Sequence, residues 1–131
     1  TLPESMGNLS SLTSLSLYNN QFTSLPEFIG NLYSLESLNL HSNELSSLPE
    51  SFVNLTKLHS VNLAYNQLSS LPEDFGNIGS EYVHWDGGTE MEKLKLNDNL
   101  LTSLPESICD IDMGGESWGD ESNDYFTLFN N

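Results

Sequence analysis

The sequence predicts an α/β solenoid, with one short parallel β-strand per coil on one side and short helical turns on the other. Three observations predict it. The stretch from Leu12 to Pro26 recurs as Leu35 to Pro49, as Leu58 to Pro72 and, after a longer gap, as Met91 to Pro105. A unit repeated at fixed spacing marks a solenoid, because no copy can bury its apolar face alone and stacked copies bury them all. Each copy opens with alternating apolar residues (Leu15 and Leu17; Leu38 and Leu40; Val61 and Leu63), the pattern of a strand with one face buried. Each closes with Pro-Glu leading to a short apolar segment: Pro26-Glu27 to Leu32, Pro49-Glu50 to Leu55, Pro72-Glu73 to Ile78. Proline suits the first helical position, where its missing N–H would lack a partner anyway. The glutamate beside it faces the positive end of the turn's dipole.

In order, residues 1–11 match the back half of a repeat, with Leu2-Pro3-Glu4 lying 23 residues before Leu25-Pro26-Glu27. The first strand of that copy is missing, so the chain is expected to be a segment of a longer solenoid. Full copies of 23 residues occupy 12–34, 35–57 and 58–80. The spacing then changes, because Leu104-Pro105 follows Leu71-Pro72 by 33 residues. The extra residues form a long loop at 81–90 before the copy at 91–111. A second long loop, acidic, is expected at 112–124, and the start of a further copy at 125–131. That last expectation rests on Phe126-Thr127-Leu128-Phe129-Asn130-Asn131 aligning with Leu15-Ser16-Leu17-Tyr18-Asn19-Asn20. Each loop carries one of the two tryptophans, Trp85 and Trp118.

The pattern L-x-x-L-x-L-x-x-N-x-L is matched by Leu35, Leu38, Leu40, Asn43 and Leu45. On these residues the chain resembles the leucine-rich repeat superfamily. Its 23-residue period and Leu-Pro-x-x-Ile/Phe-x-x-Leu tail look like the intracellular Ras-associated and plant subgroups. The resemblance implies a leucine-rich-repeat horseshoe, with a curved parallel sheet on the concave side and helical turns on the convex side. It also implies that the concave face is the partner surface. The recurring Asn20, Asn43, Asn66 and Asn99 are expected to form a buried stack. Their amides would satisfy backbone groups that lose ladder partners as each strand turns away. The recurring Glu4, Glu27, Glu50, Glu73 and Glu106 read as a solvated row on the return side.

Composition bounds the function. The 131 residues suit one domain, with 19 acidic residues, three lysines (Lys57, Lys93 and Lys95), no arginine and a net charge of −16. Binding to nucleic acid or to anionic membranes needs clustered cations, so neither is expected. A basic partner, a cation or simply a solvated acidic surface fits that charge. The single Cys109 allows no intrachain disulfide, which favours a cytoplasmic location. Cys109 stands where Gly7, Gly30 and Gly76 stand in other copies, and reads as a tolerated packing substitution. Two glycosylation sequons, Asn8-Leu9-Ser10 and Asn54-Leu55-Thr56, fall on an Asn that the repeat itself carries, which favours a structural explanation for both.

Parallel strands in stacked coils lie about 4.8 Å apart, so their outward positions form rows across the sheet. The first row reads Ser14, Ser37, Ser60, Lys93 and Tyr125, and the second Ser16, Asn39, Asn62, Lys95 and Thr127. The third reads Tyr18, His41, Ala64, Asn97 and Phe129, with Asn19, Ser42, Tyr65, Asp98 and Asn130 just beyond. Tyr18, His41, Tyr65 and Phe129 are aromatic anchors in a small, polar surround, which is how interaction hot spots are composed. Against this stands the plain reading of a soluble sheet face. Trp85 and Trp118 either cover the solenoid edge or form an acidic-aromatic recognition edge.

The stretch from Asp110 to Glu121 partly fits a calcium loop, with Asp at positions 1 and 3, Gly at 6 and Glu at 12. Gly114 at position 5 and Ser117 at position 8 depart from that pattern, and metal binding is not expected. His41, His59 and His84 stand in no metal-ligand spacing, and no nucleophile elbow or phosphate-binding Gly loop is present. The expectation is therefore a monomeric, non-enzymatic module without cofactor, binding a protein partner through its concave face. The alternative is a non-catalytic regulatory or targeting segment of a larger signalling enzyme or receptor.

Overall fold

The computed structural model describes residues 1–81 and 91–112 together with the backbone of 126–127. Five short strands, β1 (Ser14–Ser16), β2 (Ser37–Asn39), β3 (Ser60–Asn62), β4 (Lys93–Lys95) and β5 (Phe126–Thr127), form one sheet in chain order. Every neighbouring pair is parallel. The register is that of the repeat: Leu15 pairs with Leu38, Leu38 with Val61, Val61 with Leu94, and Leu94 with Phe126. The longer stretch between β3 and β4 leaves this register unchanged, because inward-facing apolar residues must stay opposite one another.

On the opposite side each coil returns through a 3-10 turn: Glu4–Asn8, Glu27–Asn31, Glu50–Asn54, Phe75–Asn77 and Glu106–Asp110. Such turns are short by nature, since their hydrogen bonds are poorer than those of an α-helix. The proline lies one residue earlier than the sequence suggests. Pro26, Pro49 and Pro105 keep extended ψ values of 155°, 151° and 152°, outside the turn. Their carbonyls accept its first hydrogen bond, from Ile29, Phe52 and Ile108 at 3.0–3.1 Å. Glutamate is therefore the first residue of the turn, and its N–H is one that has no partner within it.

The core runs between sheet and turns. Leu35, Leu40, Leu45, Phe52, Leu55, Leu58, Val61, Leu63, Leu68, Phe75 and Leu94 are all fully shielded from solvent. Phe52 and Phe75 occupy the same repeat position and stack at 6.0 Å with rings 6° from parallel. Burying each such side chain stabilises the coil by about 1.5–3 kcal/mol. In the first coil Leu2, Leu12, Leu15, Leu17 and Phe22 are only partly buried against this core.

The asparagine stack forms at three of its four expected positions, Asn43, Asn66 and Asn99. The Asn66 amide donates to the carbonyls of Leu40 at 3.1 Å and Leu63 at 3.0 Å, and its oxygen accepts the Leu45 N–H at 3.1 Å. Asn43 does the same with Leu17, Leu40 and the Phe22 N–H. Asn99 does so with Leu63, Leu96 and the Leu68 N–H. Each amide thus joins its own coil to the one before. Asn20, by contrast, is exposed and, among the described residues, bonds only within its own coil, to Leu17 and Tyr18.

Candidate concave interaction surface

The sheet register aligns Ser14, Ser37, Ser60 and Lys93 in one outward row and Ser16, Asn39, Asn62 and Lys95 in the next. Beyond the strands, Tyr18 and Tyr65 are 54% and 53% exposed. His41 lies between them in sequence order of coils, half-buried, with its ring edge-on to Tyr65 at 5.1 Å and 79°. Ala64, expected to face outward with Tyr18 and His41, is only 2% exposed. A single methyl group does not rise above its neighbours as the ring of Tyr18 does. Phe129, Tyr125, Trp85 and Trp118 lie outside the described residues, as do most of the loops at 81–90 and 112–124.

Two features of this face were not legible in the composition of its rows. The first is backbone conformation. Asn19, Ser42, Tyr65 and Asp98 all adopt left-handed φ values of 54–57°. The turn directs successive N–H groups onto the neighbouring coil: Tyr65 N–H reaches the Asn97 carbonyl at 3.1 Å, and Asn66 N–H that of Asp98 at 3.2 Å. Asn and Asp tolerate this conformation because their short side chains bond locally, whereas a tyrosine there is strained. A strained residue persists where its surroundings over-determine it, and such residues cluster at ligand clamps and switch regions. The presence of Asn19 and Asp98 in the row was the available signal.

This strain makes a stability prediction. Tyr65→Asn and Tyr65→Ala both delete the ring contact with His41, but only Asn relieves the left-handed backbone. Tyr65→Asn is expected to be more stable than Tyr65→Ala by about 1 kcal/mol, measured by urea unfolding. Equal stabilities would show that the backbone of Tyr65 carries no strain.

The second feature is side-chain orientation. The Asn39 oxygen accepts the His41 N–H at 3.1 Å, and the Asn62 oxygen accepts the Ala64 N–H at 3.2 Å. These are Asx-type turns, in which the side chain bonds the backbone two residues on. They fix which end of each amide is the acceptor, and so which end is left to donate.

Elsewhere the candidate chemistry is sparse. No group of three or more His, Cys, Asp or Glu among the described residues could hold a metal ion. The Asp110 to Glu121 stretch lies mostly outside those residues. His59 Nε2 stands 3.7 Å from a Glu92 carboxylate oxygen. Cys109 is free and exposed. The glutamates of the return side are exposed, but the row is not merely solvated: a Glu27 carboxylate oxygen accepts the Ser51 N–H of the next coil at 3.2 Å. Asn8, Asn31, Asn54 and Asn77 close the 3-10 turns and are all exposed, so the buried stack does not account for their recurrence. No described helix is long and apolar enough to cross a membrane.

A stack of like strand-and-turn coils with an outward-facing parallel sheet defines a repeat protein of the solenoid class. The model of the leucine-rich repeat region family matches residues 3–81, and the chain belongs to that family. Among solved structures it is similar to an LRR protein of Leptospira interrogans, at 32% identity and a TM-score of 0.73. The match covers 84% of this chain and 26% of the Leptospira chain, so this chain spans about a quarter of that protein's length. No curated protein sequence matches. Leucine-rich-repeat domains generally mediate protein–protein interaction and are typically non-enzymatic.

Proposed function

We propose that this chain is a protein-interaction module that engages its partner through the concave sheet face. One observation carries the reading. A ridge of Tyr18, His41 and Tyr65 borders a platform of Ser and Asn, with both tyrosines more than half exposed and one of them in a strained backbone conformation. Rigid strands hold these side chains in place before the partner arrives, so association loses little conformational entropy. The 23-residue spacing and the Leu-Pro-x-x-Ile/Phe-x-x-Leu tail support a place among the intracellular Ras-associated and plant-like repeats. A second reading is a non-catalytic regulatory or targeting segment of a larger signalling enzyme or receptor.

The test is a combined Tyr18→Ala, His41→Ala, Tyr65→Asn variant, whose Asn spares the left-handed turn. In pull-downs from an extract of the source cells, the variant is expected to lose the proteins captured by the unaltered chain. Removing central aromatic anchors typically costs 2 kcal/mol or more each, about thirtyfold in affinity. Undiminished capture by a variant that unfolds like the parent would overturn concave-face binding.

A further inference from the structure

We propose that the segment bound on the concave face is an extended acidic peptide, whose carboxylates seat on Lys93 and Lys95 while its backbone carbonyls accept from Asn39 and Asn62. The inference rests on the concave-face reading and names its ligand chemistry.

The first ground is charge placement. With 19 acidic residues against three lysines, most patches of this surface are expected to be acidic. Yet among the described residues the three outward rows hold no carboxylate, and they hold two of the chain's three cations. Lys93 and Lys95 project from the same face of β4, two positions and so about 7 Å apart along the strand, and both are half-buried. From attachment points that close, two flexible lysine stems can bring their ammonium groups to one carboxylate. Solubility does not explain the pair, because a net charge of −16 already secures it.

The second ground is that the acids nearest in sequence are engaged elsewhere. Glu92 faces His59, and the Asp98 carboxylate accepts from the Asn97 amide at 2.5 Å. Among the described residues no ion pair involves Lys93 or Lys95. Salt screens only the more distant part of the chain's negative charge. The Debye length at about 0.15 M salt is about 8 Å, so carboxylates beyond that distance are largely screened.

The third ground is the donor character of the middle row. The amide oxygens of Asn39 and Asn62 are taken by the backbone of their own coils. Their NH2 groups have no acceptor among the described residues. Asn39, Asn62 and Lys95 are in register on β2, β3 and β4, so three donor groups line up about 4.8 Å apart. A partner that crosses these strands must supply acceptors, which an extended acidic segment offers from both backbone and side chains.

The experiment selects random short peptides, displayed from a library, on the 131-residue chain at about 0.15 M salt. The selected peptides are then synthesised and titrated by fluorescence anisotropy. Asp and Glu are expected to be enriched. Lys95→Glu is expected to weaken the peptides roughly tenfold, and Lys57→Glu, the same change in net charge at an exposed lysine outside the outward rows, less than about twofold. Equal losses for the two variants would overturn the proposal. So would peptides without acidic enrichment whose binding is lost in the Tyr18/His41/Tyr65 variant, an outcome that leaves the concave reading standing. Peptides that bind that triple variant undiminished, or a selection that returns no binder, would overturn both.

Discussion

Asn66→Ala is expected to destabilise the chain by about 3 kcal/mol, whereas Asn20→Ala is expected to cost 1 kcal/mol or less. Both residues occupy the same repeat position, so the difference lies in what surrounds them. The carbonyls of Leu40 and Leu63 keep a second donor when Asn66 is truncated, from Asn43 and Asn99 respectively. The N–H of Leu45 does not. Its acceptor is the Asn66 oxygen, at 3.1 Å in a fully buried setting. An orphaned buried N–H costs about 1–3 kcal/mol, and the lost amide bonds to Leu40, Leu63 and Ala64 add to it. Asn20 bonds two exposed carbonyls that water can serve instead. Asn66→Asp sharpens the comparison. Its carboxylate still accepts from Leu45, but it faces three carbonyls with a negative charge and no proton to donate. It is therefore expected to be no more stable than Ala. Urea unfolding followed by circular dichroism reads all three, and equal losses for Asn20→Ala and Asn66→Ala would sink the argument.

Gly76→Ala is expected to destabilise by about 3 kcal/mol, at the upper end of overpacking effects, with Gly30→Ala close behind. A Cβ on Gly76 would lie 1.8 Å from the Ser107 carbonyl oxygen, and one on Gly30 would lie 2.3 Å from that of Ser51. Both obstacles are backbone of the next coil, which cannot swing aside as a side chain can. The close approach is held from the other side. The hydroxyl of Ser107 donates to the Glu73 carbonyl and accepts the Gly76 N–H at 3.0 Å, and the hydroxyl of Ser51 donates to the Glu27 carbonyl at 2.6 Å. Gly7→Ala is the control. Its Cβ would meet only the Phe28 side chain, at 3.0 Å, so a loss under about 1 kcal/mol is expected. Thermal unfolding of the three variants checks the order, and a Gly7→Ala loss as large as that of Gly76→Ala would refute the glycine–serine interlock.

The glycine position shows where a repeat-by-repeat reading stops. From the sequence, Cys109 in the glycine slot reads as a tolerated packing substitution, as though the slot had one requirement. Val53 stands in the same slot in a core coil. The coil packed next to Val53 has Asp74 where the others have Ser51 or Ser107, and its 3-10 turn is shortened to Phe75–Asn77. The need for glycine is therefore a property of a pair of adjacent coils. Residues 21 and 31 positions apart meet there, at Gly30 with Ser51 and at Gly76 with Ser107. The asparagine stack was legible for the opposite reason. One residue type recurs at every copy, and buried backbone groups at a turn demand a donor and an acceptor together.

By itself the sequence determined the solenoid, the inward leucines, the strand register and the asparagine stack. Each follows from side-chain periodicity and from backbone groups that need partners, and both recur in every copy. Only the tertiary structure decided which copies interlock through glycine and serine, that Tyr65 sits in a left-handed turn with its ring against His41, and that the Asn39 and Asn62 oxygens accept from the backbone of their own coils. These depend on contacts between neighbouring coils and on local backbone angles, and identical repeat positions with different neighbours resolve them differently.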